Sequence, residues 1–255
     1  MPESPIIEFR DVFYAVAGTQ ILSELNFKVL PGETLVLLGR SGSGKTTTLK
    51  LINRLLSPTS GEVRIKGIPN MQVDLVALRR SIGYVIQDVG LFPHFTVEQN
   101  IALVPRIMKW PEDRVRARVK ELLQSAGLTP ELGGRYPHQL SGGQRQRVGV
   151  ARALAADPEI LLMDEPFGAL DPLTRNELQQ EFLSLQKKLR KTVVLVTHDL
   201  REALRLGARI ALMEKGRLVA ALAPQEFLHS AHPAAAAYIK AFGDGFADTL
   251  HRGAL

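Results

Sequence analysis

The sequence predicts an α/β fold built around buried parallel strands, and three features of the chain predict it. An apolar run at residues 34–38 leads through a glycine-rich loop, residues 39–46, into a helical pattern at residues 47–52. Two further apolar runs, at residues 160–163 and 193–196, end in polar residues, as buried parallel strands do when they carry chemistry at their carboxyl ends. The 255 residues are 45% hydrophobic and 23% charged, an ordinary composition for a globular chain with a full core.

The remaining elements are predicted from hydrophobic periodicity and from turn residues. In chain order they are strands at 6–13, 26–29, 61–67 and 82–87, helices at 115–126, 145–156 and 173–189, a hairpin at 210–220 and a helical tail from 225. From about residue 90 to residue 156, the apolar residues recur at helical spacing, which predicts an inserted helical lobe over this range. We therefore expect one main domain over residues 1–225 and a short helical tail over residues 226–255, too short for a regulatory domain.

The glycine-rich loop has the residues and the spacing of a phosphate-binding P-loop, in the strand–loop–helix context that such a loop requires. Its glycines let backbone N–H groups turn toward phosphate oxygens, and the helix N-terminus adds partial positive charge. We expect Lys45 to contact the β- and γ-phosphates and the Thr46 hydroxyl to bind Mg²⁺. The alternative, a glycine-rich turn with a chance lysine, does not explain why every required residue is present. The predicted nucleotide-binding residues of this loop and helix are Gly39, Arg40, Ser41, Gly42, Ser43, Gly44, Lys45, Thr46 and Thr47.

Polar residues that follow other predicted strands are candidates for the chemistry of a bound nucleotide. Asp164 and Glu165 follow the strand at 160–163; we expect Asp164 to face the metal and Glu165 to polarise the attacking water as general base. Two adjacent acids also suit a helix N-cap, but a P-loop in the same chain favours the catalytic role. Gln87 offers a neutral oxygen to Mg²⁺ or water, and His198 offers a contact to the γ-phosphate, although both residue types also occur at strand ends without a function.

A second glycine loop, Leu140-Ser141-Gly142-Gly143-Gln144, precedes the predicted helix at 145–156. Ser141 is a suitable N-cap, and the glycines expose backbone N–H groups at the positive end of a helix. These features suit an anion-binding element. Taken alone, such a loop is more typical of a turn and a helix cap.

The bulk properties of the chain exclude several classes of protein. The net charge is +6 and the pI about 9.7, but the basic residues are scattered and form no dense tract, so we expect no nucleic-acid partner. No apolar run approaches the ~18 residues of a membrane span. The N-terminus lacks the pattern of a secretory signal, and the chain contains no cysteine, both of which suit a cytoplasmic protein.

With these motifs in this order, nearly the whole sequence resembles the ATP-binding subunits of ABC transporters. The motifs are the Walker A loop at 39–46, the Q-loop glutamine Gln87, the LSGGQ signature at 140–144, the Walker B acids Asp164 and Glu165, the D-loop ending in Asp171 and the switch histidine His198. The resemblance implies the ABC ATPase fold: a P-loop NTPase core with an antiparallel β subdomain and an inserted helical signature lobe. It also implies a head-to-tail homodimer, in which ATP and Mg²⁺ lie between one chain's Walker A loop and the other chain's signature residues Ser141, Gly142, Gly143 and Gln144, with Ser141 and Gly143 in contact with the nucleotide.

The family often stacks the adenine on an aromatic residue near the N-terminus. Tyr14 is the candidate here. An alignment with the family that runs backward from residues 31–33 without a gap, however, can put Val16 at the position of that aromatic residue. Tyr14 and Val16 therefore remain alternatives.

A narrower resemblance, to the ATPase subunits of osmoprotectant importers for glycine betaine, choline, carnitine or proline, covers several short stretches. They are residues 53–55, 82–87, 90–94, 100–105 and 109–111. The implied partners are integral membrane permease subunits and, indirectly, an extracytoplasmic solute-binding protein, with the chain peripheral on the cytoplasmic face of the cell (inner) membrane. An importer of another small polar solute, such as an amino acid or alkyl sulfonate, is the alternative.

Two other classes of protein share the P-loop and the signature. A DNA-maintenance ATPase of this kind needs a long coiled coil between them, and the residues between Lys45 and Ser141 hold no sustained heptads. A ribosome-associated translation factor carries two such domains in one chain, whereas this sequence has one P-loop. The sequence therefore favours a transport ATPase.

Overall fold

The computed structural model describes residues 4–242, which divide into two units. One unit consists of the described residues up to Gln72 and from Val194 onward, and the other of residues 73–193. The strands are β1 (Ile7–Val16), β2 (Thr19–Val29), β3 (Thr34–Leu38), β4 (Ser60–Ile65), β5 (Ile68–Pro69), β6 (Ile82–Val85), β7 (Ile160–Asp164), β8 (Thr192–Thr197), β9 (Arg209–Glu214) and β10 (Arg217–Leu222). The helices are α1 (Lys45–Ile52), α2 (Leu75–Ser81), α3 (Val97–Ile107), α4 (Glu112–Ser125), α5 (Gly142–Leu154), α6 (Pro172–Leu189), α7 (Leu200–Leu206), α8 (Pro224–Leu228) and α9 (Pro233–Phe242).

The first unit contains an antiparallel sheet in the order β2-β1-β4-β5. Phe9 on β1 lies opposite Phe27 on β2, and their rings stack with centroids 4.4 Å apart. Such aromatic cross-strand pairs stabilise a sheet beyond the area they bury. This sheet confirms the predicted antiparallel β subdomain.

The rest of the first unit is built on strands in the order β10-β9-β3-β8. All five residues of β3 are buried, and β9 lies parallel to it with Ile210 opposite Val36. β10 pairs with β9 as an antiparallel hairpin. α1 begins at Lys45, directly after the glycine loop at the carboxyl end of β3. This strand–loop–helix order is the one the sequence predicts.

The second unit pairs two parallel strands with a group of helices. Val85 on β6 lies opposite Met163 on β7. α5 packs on β6 so closely that a Cβ atom at Gly83 would overlap the carbonyl oxygen of Ala153. α3 and α4 pack against each other and against α5, which places the predicted helical lobe beside this strand pair.

Several element boundaries differ from the prediction. The helix predicted from residue 145 begins at Gly142, so the signature glycines belong to its first turn rather than to a preceding loop. The strand predicted to reach Gln87 ends at Val85, two residues earlier. α2, α3 and α7 were not predicted individually; α3 contains Pro105, which suggests a break, and α2 and α7 have only seven residues each.

The predicted domain boundary at residue 225 and the bounds of the inserted lobe stay predictions. Within the predicted tail, α8 and α9 are helical. Residues 243–255 of that tail lie outside the described residues.

Candidate functional site

The glycine loop between β3 and α1 folds tightly against its surroundings at two positions. A Cβ atom on Gly39 would lie 2.5 Å from the carbonyl oxygen of Met213 and 2.5 Å from Ser43 Oγ. Gly44 has a φ of +99°, in the left-handed region, and a Cβ there would overlap the side chain of Leu22. Both positions therefore require glycine for steric reasons.

Lys45, the first residue of α1, keeps its side chain inside the loop and is only 4% exposed. Its Nζ donates hydrogen bonds to the carbonyl oxygens of Gly39, at 2.8 Å, and Arg40, at 3.0 Å. Ser43 Oγ is buried and has no hydrogen-bond partner among the described residues. A buried hydroxyl without a partner is unfavourable, and a phosphate oxygen would supply the missing acceptor. The loop therefore fits a phosphate group.

The other predicted residues of this loop surround the buried part. Arg40, Ser41 and Gly42 form its exposed tip, whereas Thr46 and Thr47 are half-buried in the first turn of α1. Gly44 is the N-cap and supplies no side chain to the N–H groups of that turn. A helix N-terminus without a side-chain cap favours an anion.

Tyr14 lies on β1, half-buried, opposite Leu22 on β2. The side chain of Leu22 contacts Gly44, so the residue that pairs with Tyr14 also packs against the glycine loop. Val16 pairs with Thr19 at the end of the same hairpin and is 51% exposed. The structure brings the strand pair that carries Tyr14 to the loop, and the choice between Tyr14 and Val16 stays a prediction.

His198 is exposed directly after β8, the sheet neighbour of β3. The turn that carries it is fixed on both sides: Thr197 Oγ1 donates to the buried carboxylate of Glu202 at 2.7 Å, and Asp199 accepts a hydrogen bond from the backbone N–H of Arg201 at 2.7 Å. Sequence reasoning missed Glu202. The sequence shows an acid five residues after Thr197, but only the fold brings its carboxylate to the Thr197 hydroxyl.

Asp164 and Gln87 lie at the carboxyl ends of the two parallel strands of the second unit. Asp164 is the last residue of β7 and is 6% exposed, while Gln87 lies two residues beyond β6 and is exposed. Because Val85 is opposite Met163, both residues lie at the same edge of this strand pair. Burial, with a smaller contribution from the negative charge of Asp164, raises the pKa of Tyr84 to about 12. Tyr84 is thus a neutral phenol beside the acid, a neighbour that the sequence analysis did not single out.

Glu165 has an unusual backbone conformation. Its φ is +45°, in the left-handed region, and its carbonyl oxygen accepts a hydrogen bond from Gly168 N at 3.2 Å. The residue is half-buried. A non-glycine residue held in this region carries backbone strain, which is frequent at functional sites.

Ser141 is the N-cap of α5. Its Oγ accepts a hydrogen bond from Gln144 N at 3.2 Å, and Gln144 Oε1 accepts one from Ser141 N at 2.9 Å, a reciprocal capping box. Ser141 and Gly142 are exposed, whereas Gly143 is buried. The structure therefore gives Ser141 a structural role within the chain and leaves Ser141 and Gly142, at the start of α5, open to solvent.

Asp171 is the N-cap of α6 and accepts hydrogen bonds from Leu173 N at 3.2 Å and Thr174 N at 3.1 Å. The Thr174 hydroxyl, together with these backbone groups, lowers the pKa of Asp171. A Cβ atom on Gly143 would lie 2.6 Å from Thr174 Cγ2. The start of α5 and the start of α6 therefore pack against each other, which brings the signature residues to the predicted D-loop.

Residues 4–242 lack a clustered metal site of acidic and histidine side chains and a membrane-spanning helix. No group of three or more histidine, aspartate and glutamate side chains there could hold a metal ion. No helix in that part of the chain combines the length and the apolar character of a membrane span.

Comparisons with known proteins agree with this arrangement. A family model described as ABC transporter matches residues 22–168. The chain is 53% identical over 213 residues to the choline transport ATP-binding protein OpuBA of Bacillus subtilis, covering 84% of this chain and 56% of that protein. It is 53% identical over 214 residues to the glycine betaine uptake system ATP-binding protein YehX of Escherichia coli, covering 84% of this chain and 70% of that protein. The chain thus spans little more than half the length of some curated relatives that it matches.

Solved structures show the same fold. The structure of cbiO1 from Clostridium perfringens, part of the ABC transporter complex cbiONQ, matches with a TM-score of 0.82 and 32% identity, covering 89% of this chain and 92% of that one. A dimeric structure of the ATP-binding cassette MJ0796 in a post-hydrolysis state, bound to ADP and Pi, matches with a TM-score of 0.76 and 36% identity, covering 86% of this chain and 98% of that one. These matches confirm the predicted fold class.

Proposed function

Because the chain belongs to the ABC transporter family, whose ATPase cassettes bind ATP, we propose that it is the ATP-hydrolysing subunit of an importer for osmoprotectants of the quaternary ammonium type, such as glycine betaine or choline. The observation that carries the ATPase part is the glycine loop: Lys45 is buried within it, and the buried Ser43 Oγ lacks a partner that a phosphate would supply. The names of relatives at 53% identity support the solute class.

Seven of the predicted residues have a proposed role of their side chain in ATP binding and hydrolysis. Lys45 neutralises the β- and γ-phosphates, and Tyr14 stacks on the adenine. Glu165 accepts a proton from the attacking water, and His198 contacts the γ-phosphate. When bound, Mg²⁺ would neutralise charge on the phosphates, and the oxygen ligands proposed for it are those of Thr46, Gln87 and Asp164, of the type that Mg²⁺ prefers.

We propose a second copy of this chain as the partner that completes each site. Ser141 and Gly143 of one copy would bind the γ-phosphate held by the other copy. The exposure of Ser141 and Gly142 at the start of α5 and the dimeric state of the similar cassette MJ0796 support this arrangement. Hydrolysis would drive permease subunits in the membrane, with this chain on the cytoplasmic face and a solute-binding protein outside.

Uptake in cells tests the proposal. The chain is expressed with the permease and the solute-binding protein proposed as its partners, in a host without glycine betaine or choline uptake. It is compared with Lys45→Ala, in which the phosphate charge loses its partner. We expect labelled glycine betaine or choline to accumulate with the parent chain and not with the variant. A parent chain that hydrolyses ATP and drives uptake of an amino acid or a sulfonate, but of no quaternary ammonium compound, would overturn the solute class.

A further inference from the structure

The turn that follows Gln87 has a strained backbone. Val89 N donates to the carbonyl oxygen of Ile86 at 3.0 Å, and Gly90 N donates to that of Asp88 at 2.6 Å. Val89 has a φ of +57° and Gly90 a φ of +55°. A branched side chain is rarely found in this left-handed region, because its Cβ substituents crowd the backbone. Something outside the turn must therefore hold it in place.

Arg152, near the carboxyl end of α5, supplies the restraint. Its Nη1 donates to the carbonyl oxygen of Gly90 at 2.7 Å, and its Nη2 donates to that of Val89 at 2.7 Å. The guanidinium thus binds the two left-handed residues with the two arms of its planar fork. Within residues 4–242 it has no carboxylate within 4.0 Å, so its charge acts on these carbonyl groups.

Gly149 adds a second contact between α5 and the same turn. A Cβ atom on Gly149 would lie 2.5 Å from Val89 Cγ1, so the valine side chain packs directly on the helix backbone. Gly149 and Arg152 are three residues apart and therefore share one face of α5. The helix thus holds Val89 by its side chain and by its carbonyl group.

From these contacts we propose that Arg152 and Gly149 position Gln87, so that α5 and the turn at residues 86–90 move as one piece. α5 has Ser141 as its N-cap and Arg152 in its last turn, and the 11-residue separation places them about 17 Å apart along the helix. A displacement of α5 at Ser141 therefore displaces the segment that carries Gln87. The link to turnover rests on the proposed function, in which Ser141 and Gln87 both serve ATP hydrolysis.

Substitution of Arg152 tests the hydrogen-bonded fork. Arg152→Met keeps the length of the side chain without donors, and Arg152→Lys keeps the charge but cannot reproduce two parallel donors. We expect kcat to fall about 10- to 100-fold in Arg152→Met and less in Arg152→Lys, since a misplacement of 1 Å near a reaction centre can cost about 100-fold. The affinity for an ATP analogue should stay within about twofold, because the glycine loop is unchanged. A fall in affinity that matches the fall in kcat would overturn the positioning role.

Gly149 offers a test by rescue. Gly149→Ala places a methyl group against Val89 Cγ1, although alanine by itself favours the helix. Val89→Ala removes that Cγ1 atom, and Val89 Cβ lies at an acceptable 3.8 Å. We expect Gly149→Ala to lower kcat about tenfold without lowering the melting temperature, and the double variant to recover the kcat of Val89→Ala. Full activity in Gly149→Ala, or a loss that Val89→Ala does not restore, contradicts the proposal.

A spin label reports the turn independently of catalysis. The chain has no cysteine, so Asp88→Cys, at an exposed position of the turn, gives a single labelling site. We expect Arg152→Met to increase the mobility of a nitroxide at residue 88 and to leave unchanged a nitroxide on Lys188→Cys, at an exposed position of α6. An unchanged spectrum at residue 88, or a mobile turn with an unchanged kcat, would overturn the proposal. A parent chain without ATP hydrolysis would instead overturn the proposed function, while the spectra still report whether Arg152 holds the turn.

Discussion

Ser141 has a structural role that can be separated from its proposed role in a dimer. Within the chain its Oγ accepts the hydrogen bond from Gln144 N that closes the first turn of α5. Ser141→Ala removes this cap, which costs about 0.5–2 kcal/mol of the free energy of unfolding and lowers the melting temperature by about 2–4 °C per kcal/mol in a domain of this size. Ser141→Asp keeps a good N-cap and adds negative charge at the positive helix end, so its melting temperature should equal or exceed that of the parent.

The same two variants should rank oppositely in activity. If Ser141 faces the γ-phosphate of the other copy, the aspartate carboxylate is repelled by it with about 4 kcal/mol at 4 Å and an effective dielectric constant of 20, or about a thousandfold in rate. Ser141→Ala loses one hydrogen bond to a charged group, about 1.5–3 kcal/mol, or about 10- to 100-fold. The less stable variant is therefore expected to be the more active one.

The assay combines thermal unfolding with ATP hydrolysis measured over a range of protein concentrations, with Ser141→Thr as the control that keeps both the cap and the hydroxyl. Binding of an ATP analogue to the chain's own glycine loop should be unchanged in all three variants. Hydrolysis by Ser141→Asp within threefold of the parent, or activities that follow the melting temperatures, would refute the role of Ser141 at the partner's nucleotide.

Two further predictions follow from the environments of single aromatic residues. Tyr14→Ala should weaken ATP binding about twofold to tenfold in a titration, because ring stacking contributes about 0.5–1.5 kcal/mol, while Val16→Ala leaves it unchanged; the reverse ranking would assign the adenine contact to the second position. Because burial and Asp164 raise the pKa of Tyr84 to about 12, this phenol ionises at lower pH in the unfolded chain than in the folded one. The stability that it contributes is complete below about pH 10 and is lost as the pH rises toward 12. The free energy of unfolding of Tyr84→Phe should therefore fall less across that range than that of the parent chain. Equal falls in the two chains would show that Tyr84 is not desolvated.

The parts of the fold that the sequence predicts well are those whose cause is local. β3 is predicted with its observed bounds, because a threonine and four consecutive apolar residues before a glycine loop leave little alternative to a buried strand. The loop itself follows from the spacing of its glycines and Lys45.

The predicted start of α5, residue 145, is wrong, and the reason lies in the tertiary structure. Gly142 and Gly143 have low helix propensity, so the sequence favoured a loop. In the structure the reciprocal bonds of Ser141 and Gln144 close the first turn, and Gly143 is small enough to pack on Thr174. Packing and capping together outweigh the propensity of the two glycines.

Contacts between distant segments could not be predicted from one sequence. Arg152 and Val89 are 63 residues apart in the chain, and nothing in the local pattern of either indicates that one binds the other. Leu22 likewise reaches Gly44 only because β2 passes beside the loop. These contacts depend on topology, which a periodicity argument does not supply.

Glutamine in place of Glu165 tests the central claim, that this chain closes around ATP as a dimer and hydrolyses it with a carboxylate base. Glu165→Gln keeps the shape of the side chain and removes the base, whose loss typically costs about 10²–10⁴-fold. The matched control is Glu177→Gln, at an exposed position of α6. With ATP and Mg²⁺, light scattering after size-exclusion chromatography should show an ATP-bound dimer for Glu165→Gln, while the parent and the control stay mostly monomeric and active. Hydrolysis by Glu165→Gln within a few-fold of the parent, or a variant that is inactive and no longer binds ATP, would contradict the claim.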